Sequence, residues 1–77
     1  MKELLYDIVC GLVEDKGAVE IVADAPDEEG VIVYHIHVAQ SDMGRVIGKQ
    51  GRIAKAIRIV ARAAANRIEE KISVEID

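Results

Sequence analysis

The chain has 77 residues, of which 51% are hydrophobic and 31% charged, and its net charge is −4. That length supports one small core and no second domain, and the composition excludes a disordered or fibrous chain. An acidic balance argues, at face value, against a nucleic-acid partner.

Residues 2–15 carry Leu4, Leu5, Ile8, Val9, Leu12 and Val13 at helical spacing, which predicts an amphipathic helix ending near Gly17. Glu3, Asp7, Glu14 and Asp15 interrupt its apolar residues, against a signal peptide, and no apolar run in the chain approaches the roughly 18 residues of a membrane span. Cys10 is the only cysteine, which suits a reducing, cytoplasmic setting; among helix-core positions it reads as a small hydrophobe. Residues 18–23 alternate as a strand, with Val19, Ile21 and Ala23 facing one way and Glu20 and Val22 the other. An acidic turn around Pro26 leads to a second strand over 31–39, so an antiparallel hairpin is expected. Ile32, Tyr34, Ile36 and Val38 share one face of that strand, and Val33, His35 and His37 the other.

Ser41 and Asp42 are N-cap residues for a short helix from Met43 to Ile47, which Gly48-Lys49-Gln50-Gly51 halts. Residues 52–69 form the longest helix. At about 100° per residue, Ile53, Ile57, Val60, Ala64 and Ile68 cluster as its core stripe, and Lys55, Arg58 and Arg62 as a basic ridge. Ile59 lies between, beside Ala56 and Ala63, as an apolar group off the core stripe and a potential contact with another chain. Residues 71–77 alternate as a closing strand. The order is αββααβ, an α+β arrangement.

Charge is unevenly spread along these elements. Residues 1–42 hold two bases against ten acids (−8), residues 43–68 hold seven bases and no acid (+7), and residues 69–77 hold one base against four acids (−3). The basic block is either a solvated helix face paired with acidic parts of the fold or a surface for a polyanion. Its position favours the second. Within it, Gly48 and Gly51 permit backbone angles barred to other residues, and the helix that follows presents unpaired N–H groups to an approaching phosphate. Arg45, Lys49, Arg52 and Lys55 surround that point with cationic donors, while Val46 and Ile47 offer an apolar wall for bases.

VIGKQGRIAKAI resembles the signature of a KH domain, and αββααβ is the order of the type II KH fold. Over the whole chain, 1–77, with GRVIGKQGRIAKAIRIVARAAA, the sequence resembles the small bacterial KhpA family. The resemblance implies a three-stranded sheet with three helices packed on one face. It also implies binding of single-stranded RNA, with Gly48, Lys49, Gln50 and Gly51 clamping the backbone and Val46 and Ile47 lining the base groove. It implies further a role as post-transcriptional regulator or RNA chaperone, and a homodimer or a heterodimer with a KhpB/Jag-type protein. One departure is Ala54, where many KH sequences carry a branched apolar residue; Ile53 stands one position earlier.

Other chemistries fit less well. A P-loop needs four residues between its glycines and a Ser or Thr after the Lys, whereas Gly44 and Gly48 are separated by three and Lys49 is followed by Gln50. His35 and His37 could supply two metal ligands, but no nearby Cys or further His completes a set, so no metal or cofactor is expected. No triad or carboxylate dyad suggests an enzyme. Two readings remain: an RNA clamp, in which Gly48→Asp with Gln50→Asp should remove binding but spare folding, and a protein-interaction module working mainly through a partner.

Overall fold

The computed structural model describes residues 1–76. Helix α1 (Lys2–Cys10) buries Leu5 and Val9, one turn apart, and β1 (Glu20–Ala23), β2 (Val31–His37), α2 (Met43–Ile47), α3 (Arg52–Arg67) and β3 (Lys71–Ile76) follow. The expected order is observed.

The first helix stops at Gly11 rather than near Gly17. Leu12 and Val13 both donate their N–H to Val9 O, at 2.9 and 3.2 Å, which tightens the last turn. The next two N–H groups, of Glu14 and Asp15, then leave the helical ladder for the carboxylate of Asp42, at 3.2 and 3.1 Å. A charged acceptor makes a stronger bond than a peptide carbonyl, and Gly11 already weakens the helix at this point. Asp42 holds the expected N-cap position of α2, but no side-chain bond caps that helix, and Ser41 lies in a 3₁₀ turn, Gln40–Asp42.

The sheet runs β1-β2-β3, with β1 antiparallel to β2 and β3 parallel to it. Ile21 faces Ile36, and Tyr34 faces Val74. The hairpin turn is held by Asp27, whose carboxylate accepts the N–H groups of Glu29 and Val31 at 2.8 and 2.9 Å. The second strand is shorter than expected, because Gln40 opens the 3₁₀ turn, and Asp77 of the expected closing strand lies outside the described residues. Ile21, Tyr34, Ile36 and Val74 form the buried side of the sheet. All three helices gather there, with α3 over β3, α1 over β1 and α2 against α3. The other side carries Val22, Val33, His35 and His37, and His35 Nε2 lies 2.9 Å from Asp24.

The core stripe of α3 differs from the expected one. Its buried residues are Ala54, Ile57, Ala61 and Ala65, while Val60 and Ile68 are 49% and 55% exposed. At about 100° per residue the helix is turned roughly 60° from the stripe of branched residues. Alanine ends at Cβ, so three alanines let the helix axis approach the sheet closely, where Ile or Val would hold it away. Ala54, the departure from the common KH pattern, is one of these buried alanines. The rotation also moves Arg58 off the basic ridge: its Nε donates to the main-chain carbonyl of Val74 at 3.1 Å.

Candidate nucleic-acid interface

The turn between α2 and α3 is built from left-handed backbone. Gly48 N–H donates to Gly44 O at 2.9 Å, which ends α2, and Gly48 then takes φ 75° and ψ 177°. A Cβ on Gly48 would overlap Cγ1 of Ile53 and lie 2.9 Å from that residue's Cβ and N, so this glycine is required by both angle and space. The expectation that Gly48→Asp spares folding is therefore wrong. Gln50 (φ 58°) and Gly51 (φ 74°) are also left-handed, but a Cβ on Gly51 would meet nothing within 4 Å. One glycine is locked against the protein and the other faces open space.

Gly51 precedes α3 with no side chain capping the helix. The N–H groups of Gly51 and Arg52 go to the carbonyls of Gly48 and Lys49, so the open end of the turn presents the positive end of the dipole of a sixteen-residue helix. Lys49, Gln50, Arg52 and Lys55 are all exposed around it. The site thus joins a helix N-terminus, mobile ammonium groups and a forked guanidinium, a set that suits phosphate oxygens.

Two expected members are placed elsewhere. Val46 is wholly buried in the core and cannot wall a groove, whereas Ile47 beside it is 37% exposed and can. Arg45 is held away from the turn's donors: its Nη2 lies 2.7 Å from Glu14 and its Nε 3.2 Å from Asp42. Among the described residues Asp42 is the only buried charged one, and its carboxyl is held below the ordinary range. The N–H of Asp15 is the largest cause, helped by Glu14 N–H, Arg45 and Lys16 against the opposing effect of burial. Sequence pattern offers no signal for this network, because its partners are 27 and 28 residues apart.

A second surface lies between α1 and α3. Ile8, Leu12, Ile53, Ala56, Ile57 and Val60 line an open cleft of about 270 Å³ with apolar side chains only. Of the three expected contact residues, Ala56 belongs to it; Ile59, 61% exposed, and Ala63 do not line it. Val60 lines this cleft instead of the core because of the phase of α3, and Ile8 and Leu12 reach it from the first helical segment. Among the described residues no helix is long and apolar enough to cross a membrane, and no group of three or more His, Cys, Asp or Glu is placed to hold a metal ion.

A family model described as KhpA/KhpB, KH domain, matches residues 2–76. The chain is 49% identical over 76 residues to the RNA-binding protein KhpA of Clostridium perfringens, covering 99% of each. It is 45% identical to the protein of that name from Listeria monocytogenes, covering 99% of this chain and 97% of that one. The identity to the Bacillus subtilis KhpA is 37%, over 99% and 91%.

Proposed function

The chain belongs to the KhpA/KhpB KH-domain family, and from that membership we propose that it binds single-stranded RNA by clamping the backbone at Gly48–Gly51. The observation that carries this reading is the turn itself: left-handed backbone at Gly48, Gln50 and Gly51, opening onto the N-terminus of α3, with Lys49, Arg52 and Lys55 exposed and no acid in the segment. Phosphates are taken by the main chain and these three cations, and Ile47 packs against a base. The relatives' name, RNA-binding protein KhpA, supports the same ligand. The protein acts without catalysis in the cytoplasm, as a regulator or chaperone of RNA, since backbone-led contacts favour many short single-stranded targets over one sequence.

The test places charge where the fold accepts it. Lys49→Asp with Gln50→Asp puts two carboxylates in the clamp, and Asp tolerates the left-handed angles at position 50. Retention of a labelled single-stranded RNA pool should fall to background while the circular dichroism spectrum stays unchanged. Undiminished retention would refute the clamp.

A second copy is the proposed occupant of the apolar cleft. Both helices line it with apolar side chains only, so a two-fold arrangement sets the cleft of each copy against that of the other. Pairing doubles the clamps and raises affinity through effective concentration. The KH domain of a KhpB/Jag-type protein is the alternative occupant, in which case the protein works chiefly as an interaction module.

A further inference from the structure

The two edges of the sheet are treated differently. On β3, Arg58 covers the Val74 carbonyl at 3.1 Å and Lys71 opens the strand, both of which discourage another strand from pairing there. On β1, among the described residues, no side chain is seen to cover a carbonyl: Glu20-Ile21-Val22-Ala23 contains no Lys and no Pro, and its one charge is Glu20 at the start. Its bonding pattern can be read from the register. Asp24 N–H donates to Val33 O at 2.9 Å, so Asp24 and Val33 form a hydrogen-bonded pair. In an antiparallel ladder such pairs alternate, which assigns Val22 with His35 and Glu20 with His37 to the same class. The N–H and C=O groups of Ile21 and Ala23 therefore point away from β2. β1 is the outermost strand, so among the described residues no strand meets them.

Beside this open edge lies a cleft of about 310 Å³ between α1 and β1, lined by Lys2, Glu3, Tyr6, Val19, Glu20 and Ile21. Tyr6 is 43% exposed over it. An extended chain pairing with Ile21 and Ala23 would alternate its side chains, so that every second one enters the cleft against Tyr6, Val19 and Ile21 and the others stay in water. The charge around the cleft is acidic: Glu3 and Glu20 line it against Lys2, Asp7 is one turn further along α1, and the block 1–42 carries −8.

We propose that the β1 edge and the α1–β1 cleft form a docking site for an extended, lysine- or arginine-bearing segment of another protein, added to the sheet as a fourth strand. A branched apolar residue of that segment fills the cleft, and its cations face Glu3 and Glu20. A second copy suits the site poorly, since its own β1 would bring Glu20 toward an acidic rim. None of the cleft residues belongs to the clamp, so this site and RNA binding are separable.

The experiment uses the full ¹⁵N-labelled chain and a short peptide of alternating Lys and Val, with a Glu/Val peptide as control. The Lys/Val peptide should shift the amide signals of Tyr6 and residues 20–23 and slow hydrogen exchange at Ile21 and Ala23 about tenfold when present at roughly ten times its Kd. Ala23→Pro should abolish both effects. Its N–H points outward, so proline there removes no bond to β2, and unchanged exchange at His35 with unchanged RNA retention will show an intact fold. The same peptide with alternate amides N-methylated should also fail, a check that leaves the protein untouched. The proposal is overturned if the peptide causes no shifts at millimolar concentration. It is equally overturned if Ala23→Pro or N-methylation leaves the shifts in place, if the Glu/Val peptide binds as well, or if the chain alone protects Ile21 and Ala23 in a concentration-dependent way, which would identify a second copy as the occupant.

Discussion

The Glu14 carboxylate lies 2.7 Å from Nη2 of Arg45, joining the acidic first part of the chain to the basic segment just ahead of the clamp. Both side chains are well exposed, at 77% and 50%, so the pair contributes little to stability, about 0–1 kcal/mol. Its effect on the proposed clamp is one of availability: it occupies a cation that could otherwise serve a phosphate. With three phosphates neutralised, by Lys49, Arg52 and Lys55, the slope of log affinity against log salt on single strands should be near −2. Glu14→Gln should leave the melting temperature unchanged and steepen the slope toward about −3 as Arg45 becomes the fourth contact. Binding isotherms across a salt series check this; an unchanged slope would show that Arg45 stays out of reach.

The two glycines of the turn should respond unequally to alanine. Gly48→Ala meets both the left-handed penalty of about 1–2 kcal/mol and overpacking against Ile53 of about 1–3 kcal/mol. Gly51→Ala meets only the first. Urea denaturation should therefore rank Gly48→Ala as clearly the less stable. RNA retention by Gly51→Ala should still fall, because its new methyl group stands where the main chain meets phosphate.

Val60→Asp should lower the apparent mass in solution to that of a single chain, since a carboxylate would enter the apolar cleft between α1 and α3. Ile59→Asp, one position further round the helix, should leave the mass unchanged. Light scattering on both variants and the parent decides; a parent that is already single, or a Val60→Asp that still pairs, removes the second copy from this cleft.

Acid should loosen the junction between α1 and α2. The Asp42 carboxyl is held below its ordinary value of 3.8, chiefly by the Asp15 N–H. A depressed folded-state value means stabilisation that is present above the unfolded value and is lost as pH falls through the folded one. The difference in urea midpoint between the parent and Asp42→Asn should thus be widest above about pH 4 and shrink steadily below it. A constant difference down to pH 2 would show that the charge of Asp42 is unimportant.

Much of this molecule is legible in its residues. Alternation in 31–37 and 71–76 marks two of the strands, and the glycine spacing marks the turn with its basic surroundings. The misplaced details share a cause: each depends on contacts distant in sequence. Helix α1 ends early because Asp42 captures the N–H groups of Glu14 and Asp15. The α3 stripe is misassigned because hydrophobicity ranks Ile and Val above Ala, whereas close approach to a sheet ranks them in reverse. Val46 goes to the core and Arg45 to an acidic pair for reasons visible only once α1 lies beside α2.

The parallel pairing of β2 with β3 has a bearing on timing. Parallel neighbours cannot be joined by a tight turn, and here the connection between them is the whole of α2, the clamp and α3. During synthesis these elements leave the ribosome before β3 does, and the inner side of α3 has no partner strand until Lys71–Ile76 arrives. The turn proposed to grip RNA should thus be set firmly only when the strand that follows it zips onto β2. On the proposed reading, a nascent chain with the full GKQG segment already exposed should not yet hold RNA firmly, its own message included.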